Sequence, residues 1–268
     1  MIFAGCDIGS LTGKAVLIKD NRIISTQIIG VMSNPVRTAM VMMDAALDKA
    51  GLAYDSITRC CTTGYGRENI PFSNMNISEI SCHGMGAHWL DNSIRTILDI
   101  GAEDSKIILI DEKGRVVDFA MNDKCAAGTG RFLEAMARAL QVDIDDMADM
   151  DAGAEGKQSI SSMCTVFAES EVVSLIADGA PVNEIVMGLN RAIAARILSL
   201  VKRTTLQYPD LKIAMSGGVA RNSGVVRAIS SLLESEVSVP GNPDTVGALG
   251  AAMIAKEKNV SRRPAATV

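Results

Sequence analysis

The chain has 268 residues, 48% of them hydrophobic, enough to bury one large core or two medium ones without disulfide or metal staples. Its formal charge of -5, from 26 basic and 31 acidic side chains spread along its length, offers no basic stripe for a phosphodiester backbone, which argues against a nucleic-acid partner. No run reaches the roughly 18 apolar residues a membrane helix needs, so a cytoplasmic protein with no membrane partner is expected.

With 3% aromatics and 15 Met, the core must be aliphatic, which suits helix-on-sheet layers and an α/β fold. In chain order, an apolar strand ends in Asp7-Ile8-Gly9-Ser10, the turn Leu11-Thr12-Gly13 leads to Lys14 and a second strand, and Asp20-Asn21-Arg22 turns into a third, Ile23–Ile28. Asn34-Pro35 supplies an N-cap and a first-turn proline for a helix ending near Gly51. The pattern then recurs: a strand ends in Asp99-Ile100-Gly101-Ala102, Glu103-Asp104-Ser105 leads to Lys106 and a second strand, and Glu112-Lys113-Gly114-Arg115 turns into Val116–Ala120. Thr129 begins a helix ending near Gln141.

Further helices are expected over Val166–Asp178 and from Pro181 to about Gln207, where Ile185, Leu189, Ile193 and Ile197 share a face. A strand, Leu211–Met215, feeds the turn from Ser216 to Asn222 and another helix, and after Val237–Pro240 a last helix runs from Pro243 to about Lys258. The segment 143–151 reads as a solvated acidic connection and the tail 261–268 as loose. The whole is a duplication: one lobe over 1–95, a second over 96–246, and a helix within 247–268 packing back on the first.

A strand ending in Asp-x-Gly with a tight polar turn brings backbone N–H groups close to an anion, because glycine has no Cβ to block the approach. Two such turns suit a polyphosphate, and a strand-to-helix turn such as Gly217-Gly218 suits a base or ribose. One glycine turn alone is ordinary; three in this order, two of them duplicated, point to ATP. Candidate nucleotide contacts are Gly9, Ser10, Leu11, Thr12, Gly13, Lys14, Gly101, Ala102, Glu103, Gly128, Thr129, Gly130, Gly217, Gly218 and Asn222. Asp7, Asp99, Glu103 and Asp104 are the candidate catalytic carboxylates, and Asp7, Asp99 and Asp104 suit Mg2+, directly or through its waters. Lys14 can neutralise phosphate charge.

The six cysteines do not suggest a disulfide framework in a reducing compartment. Cys6 reads as core, and Cys60-Cys61 cannot both point inward from one strand. Cys82-His83 has no second pair at zinc spacing, so His83 is expected to hydrogen-bond at the lobe interface. Met40–Met43 reads as helix core, and Gly247-Ala-Leu-Gly250 as a small-residue face for close helix packing. Cys125 and Cys164, on composition alone, are helix-flanking thiols.

The phosphate and adenosine turns resemble those of the actin, heat-shock-70 and sugar-kinase superfamily. Thr63-Gly-Tyr-Gly-Arg67, Glu79-Ile-Ser-Cys-His83, Asn122 to Phe132, Cys164 to Glu171 and Ala192 to Arg196 are similar to segments of one family within it, the ATP-dependent activators of 2-hydroxyacyl-CoA dehydratases and the related ATPase subunits of benzoyl-CoA reductase. The resemblance spans nearly the whole chain. It implies two ribonuclease-H-like lobes with the nucleotide in the cleft between them. It also implies ATP hydrolysis, and a homodimer with one 4Fe-4S cluster at the subunit interface, ligated by Cys125 and Cys164 of each copy. The implied electron acceptor is a partner iron-sulfur dehydratase or reductase, and the implied donor a ferredoxin or flavodoxin.

One departure stands out: the family usually reads Asp-Ile-Gly-Gly-Gln-Asp in the second loop, where this chain has Ala102 and Glu103. Glu103 adds negative charge beside the phosphates, and Ala102 disfavours a positive φ. Two other functions compete, a small-metabolite or sugar kinase and a regulatory ATPase without redox chemistry. Against the kinase, the chain has no inserted substrate segment and no spare aspartate for a general base.

Overall fold

The computed structural model describes residues 1–122, 126–156, 158–160, 164–205 and 212–260. The chain divides into two compact units, one of Met1–Ser93, Ile110–Val117 and the chain from Asp244 onward, the other of Ile94–Leu109 and Asp118–Pro243. The expected cluster ligand Cys125, the expected end of the long helix at Gln207, the first residue of the strand expected from Leu211 and the tail 261–268 lie outside the described residues.

In the first unit, β1 (Ile2–Ile8), β2 (Thr12–Lys19) and β3 (Arg22–Gly30) form the expected antiparallel meander. Asp20 and Asn21, with φ of 50° and 60°, make the tight hairpin whose twist matches its strands. β4 (Ile57–Thr63) lies parallel to β1, and the short β5 (Met75–Asn76) completes the order β3-β2-β1-β4-β5. α1 (Pro35–Ala50) starts where the Asn34 side chain accepts from the N–H groups of Val36 and Arg37, and stops at Gly51 in the left-handed region.

Both faces of this sheet are covered. Ala4, Cys6, Ile8 and Cys60 pack with Met42, Met43, Ala46 and Leu47 of α1. Phe3, Val16, Ile18 and Cys61 pack on the other face with Cys82 of α2 (Glu79–Leu90) and with Ala248, Leu249 and Ala252 of α8 (Val246–Val260). Cys60 and Cys61 do point in opposite directions, yet both are fully buried, because a sheet with a layer on each face has two insides. Met42 and Met43 are core as expected, whereas Met40 and Val41 face outward on the helix's other side.

The second unit repeats the plan. β6 (Ile94–Ile100) pairs antiparallel with β7 (Ser105–Ile110), β8 (Val116–Asn122) flanks β7, and β9 (Lys212–Ser216) lies parallel to β6 with β10 (Val237–Ser238) beyond, in the order β10-β9-β6-β7-β8. The helices are α3 (Gly130–Leu140), the single turn α4 (Met147–Met150), α5 (Thr165–Ala177), α6 (Val182–Val201) and α7 (Ser223–Leu233). Leu98, Ile100 and Ile107 pack with Phe132, Leu133 and Met136 of α3 and with Ile185, Leu189, Ile193 and Ile197 of α6, the predicted stripe.

α6 ends at Val201, earlier than periodicity alone suggests. Just beyond, the Asp118 carboxylate accepts from the Thr205 N–H at 2.8 Å and its hydroxyl at 2.9 Å, tying the chain to β8. The acidic segment is only partly a solvated connection: Asp151 accepts from Asn190 Nδ2 at 2.9 Å and pairs with Arg227, anchoring α4 to α6 and α7. No described helix is long and apolar enough to cross a membrane.

Candidate functional site

Each unit ends its first strand in the same closed turn. Gly9 N–H donates to the Thr12 carbonyl at 3.1 Å, and Gly101 N–H donates to the Asp104 carbonyl at 2.9 Å. The closure leaves the backbone of Ser10 and Leu11, and of Ala102 and Glu103, at the turn tips outside the strand ladders. Neither Ser10 nor Ala102 has a positive φ, so the alanine in the second loop carries no backbone strain. The feared conflict between Ala102 and the turn is therefore absent. Glu103 is half-exposed with its carboxylate 3.7 Å from Arg131 Nε, which offsets part of its charge, although a pair this open to water is weak.

The aspartates sit at matching places and in different company. Asp7 is buried on β1, with Lys14 Nζ 3.4 Å from its Oδ2. Asp99 is buried on β6, where its Oδ1 accepts from the Ser216 hydroxyl at 2.9 Å and its Oδ2 lies 3.3 Å from Lys106 Nζ. Lys106 Nζ also lies 2.5 Å from Asp104 Oδ1, so one lysine, only 2% exposed, holds both carboxylates. Burial without a partner would be costly for any of these charges, which is why they are found as a cluster.

The duplication extends further than the sequence reading took it. Thr63 lies opposite Asp7 on the parallel partner of β1, and Ser216 lies opposite Asp99 on the parallel partner of β6. Each is followed by a glycine at positive φ, Gly64 at 84° and Gly217 at 85°. A Cβ on Gly64 would stand 2.5 Å from the carbonyl of Ile8 and from Asp7 Oδ1; on Gly217 it would stand 2.3 Å from the carbonyl of Ile100 and 3.0 Å from Asp99 Oδ1. Glycine is required at both by conformation and by space.

Gly128, Thr129 and Gly130 come to the second loop. Gly130 and Arg131 N–H donate to the carbonyls of Gly101 and Ala102, both at 2.9 Å, and the buried Ser105 hydroxyl donates to the Gly128 carbonyl at 2.9 Å. Gly217 and Gly218 open the turn after β9, and the buried Asn222 caps α7 by accepting from Val225 N–H at 3.0 Å. In the first loop Gly13 packs against Thr38 and Met42 of α1, and Leu11 accepts from Val31 N–H, so these two also hold the loop in place.

A profile of the BadF/BadG/BcrA/BcrD ATPase family matches residues 4–255. The chain belongs to that family. The activator of lactoyl-CoA dehydratase from Anaerotignum propionicum is 45% identical over 261 residues, covering 96% of this chain and 98% of that protein. Component A of (R)-2-hydroxyglutaryl-CoA dehydratase from Acidaminococcus fermentans superposes with a TM-score of 0.92 at 35% identity, over 97% of this chain and 99% of its own. The activator of 2-hydroxyisocaproyl-CoA dehydratase from Clostridium difficile, solved with bound ADPNP, superposes with a TM-score of 0.89 at 40% identity over the whole of both chains. The fold of this family member is thus the actin-like ATPase fold, with a mixed sheet and its helices in each unit.

Among the described residues no three Cys, His, Asp or Glu side chains converge into a metal cage. Mg2+ needs none, since it is commonly held by one or two carboxylates, phosphate oxygens and water, and the Asp7 and Asp99 loops carry oxygen donors of that kind. Cys164 is the half-exposed N-cap of α5 and its side chain makes no capping hydrogen bond, a placement that fits an iron-sulfur ligand.

Proposed function

We propose that this chain is an ATP-hydrolysing activator that delivers a low-potential electron to a partner iron-sulfur dehydratase or reductase. The observation that carries the reading is the tie between the second phosphate loop and the start of α3, through Gly130 to Gly101 and Arg131 to Ala102, five residues after Cys125. A loop that responds to ATP cannot move without its carbonyls pulling that helix. The names of the relatives, activators of lactoyl-, 2-hydroxyglutaryl- and 2-hydroxyisocaproyl-CoA dehydratases, support the same class of partner.

In this reading the lobes are 1–95 and 96–246, with 247–268 packing back on the first. The loops at Gly9–Lys14 and Gly101–Asp104 take the phosphates through backbone N–H groups, Lys14 neutralises phosphate charge, and Gly217, Gly218 and Asn222 receive the adenosine. Asp7, Asp99 and Asp104 place Mg2+ and its water, and Glu103 is the remaining carboxylate near the attack. Two copies of the chain hold one 4Fe-4S cluster through Cys125 and Cys164, because four thiolates are needed and the other four cysteines of each copy, Cys6, Cys60, Cys61 and Cys82, are fully buried. When bound, the cluster supplies a one-electron carrier, filled by reduced ferredoxin or flavodoxin and emptied to the partner. ATP shifts the loop, the loop shifts α3, and hydrolysis returns both.

Iron and acid-labile sulfide on anaerobically purified protein, with its mass in solution, test the proposal. About two irons per chain in a dimer, lost in Cys125→Ser and Cys164→Ser, are expected. An iron-free monomer that still hydrolyses ATP would leave a regulatory ATPase, and a phosphorylated small molecule would mark a kinase.

A further inference from the structure

Lys14 and Lys106 occupy the same register after the two Asp-Ile-Gly turns, yet the fold treats them differently. Lys14 is 14% exposed in its side chain and has one carboxylate, Asp7, at 3.4 Å. Lys106 is 2% exposed and has two, Asp99 at 3.3 Å and Asp104 at 2.5 Å. The difference lies at one aligned position: Thr12 stands in the first copy where Asp104 stands in the second. Lys14 therefore keeps charge to offer a phosphate, whereas the charge of Lys106 is spent inside its own loop.

We infer that Lys106 is a built-in counter-cation, a positioning residue that fixes Asp99 and Asp104 and keeps a divalent ion from binding them directly. A metal at the second loop then meets these carboxylates only through its water shell, which suits Mg2+, a reluctant dehydrator. Two carboxylates this close and this buried need a cation between them. An ammonium supplies a single charge without a coordination sphere, and it holds Asp104 while Asp99 is held from the far side by Ser216. The inference deepens the ATPase reading, but its test needs no nucleotide.

The test is Mn2+ binding to the full-length protein without nucleotide, read from the electron paramagnetic resonance signal of free Mn2+. Wild type, Lys106→Met, Lys106→Arg, Asp104→Asn and the double variant Asp104→Asn/Lys106→Met are compared. Lys106→Met is expected to gain one Mn2+ site, tighter by at least about a hundredfold than anything at this loop in wild type, since a unit positive charge at contact distance is removed. The double variant loses that site, and Lys106→Arg, which keeps the cation, behaves as wild type. A wild-type Mn2+ site that Asp104→Asn abolishes, or a folded Lys106→Met with no gained site, overturns the inference. If Lys106→Met melts too early to titrate, its melting temperature is followed against Mn2+. A steep rise that the double variant lacks supports the counter-cation, and a flat response overturns it. ATP hydrolysis by wild type is measured separately, and its absence would sink the ATPase reading without touching the Mn2+ result.

Discussion

The crossing of α2 and α8 sets two effects of one substitution against each other. Replacing Gly250 with Ala removes a helix-interior glycine, which alone stabilises by about 1 kcal/mol. The added Cβ would stand 1.7 Å from the carbonyl oxygen of Cys82, 2.6 Å from its carbon and 2.8 Å from the Gly86 nitrogen. These are backbone atoms of α2 and cannot rotate aside, so the helices must part by roughly 1–2 Å to restore a normal contact. The separation also loosens the reciprocal fit, where Gly86 lies under the carbonyl of Val246. Such overpacking costs about 1–3 kcal/mol, and against unyielding backbone the upper end applies. The net expectation for Gly250→Ala is a loss of about 2 kcal/mol, seen in urea titration as a lower midpoint at unchanged slope, and as a fall in Tm of roughly 4–8 °C. Gly241→Ala, where nothing lies within 4 Å, is the control and should be near neutral. A Gly250→Ala protein as stable as wild type would mean that helix propensity outweighs the close approach, and the packing argument would fall.

Asn34→Ala removes the acceptor of two N–H groups at the start of α1 and should cost about 1 kcal/mol in the same titration, with Asn34→Asp recovering most of it. The Thr205 N–H and then its hydroxyl hold the Asp118 carboxyl below the usual carboxylate range. A depressed folded pKa contributes stability above about pH 4, lost as the pH falls through the lowered value. The stability gap between wild type and Asp118→Asn should therefore narrow from pH 5 to pH 2, and a constant gap would contradict the assignment. The hydrogen bond with Cys60, then burial, pushes the Cys6 thiol well up, and the hydrogen bond with Cys61, then burial, does the same to Cys82. All four of Cys6, Cys60, Cys61 and Cys82 are fully buried while Cys164 is half-exposed, so peptide mapping after alkylation of the folded, iron-free protein at pH 8 should show Cys164 labelled well before them.

The duplicated meanders and the two capped helices were readable because their signals are local: alternation, Asn34-Pro35, Gly51, Gln141. What stayed hidden depended on a second element. α2 is masked by Gly84 and Gly86, poor helix formers, and only the fold shows why they are there: Gly86 takes the backbone of α8. Lys106 reads in sequence as a copy of Lys14, and nothing local reports that Asp104 has claimed it. The equivalence of Thr63-Gly64 with Ser216-Gly217 was legible in principle, as a hydroxyl and a glycine after an apolar strand. Their distances from the aspartates differ by so much, 56 residues against 117, that the repeat is obscured until the parallel strands pair. The proposed cluster ligands could be named only through resemblance, because a thiol before a helix looks the same whether it fills a core or binds iron.

The joint between the second loop and α3 makes a sharper demand than stability. The buried Ser105 donates to the carbonyl of Gly128, while Gly130 and Arg131 donate back to Gly101 and Ala102, so helix and loop grip each other in both directions. Downstream, Phe132, Leu133 and Met136 key α3 into the core, which makes its first turn the place where movement must be absorbed. Ser105→Ala leaves the Gly128 carbonyl without that donor, at a cost of about 1–3 kcal/mol confined largely to this joint. Hydrogen exchange should then show Gly130 and Arg131 amides opening faster, with amides deep in α6 unchanged. A non-hydrolysable ATP analogue should protect those two amides less in Ser105→Ala than in wild type. Equal protection in both proteins would mean that the nucleotide signal reaches α3 without passing through the Ser105 grip.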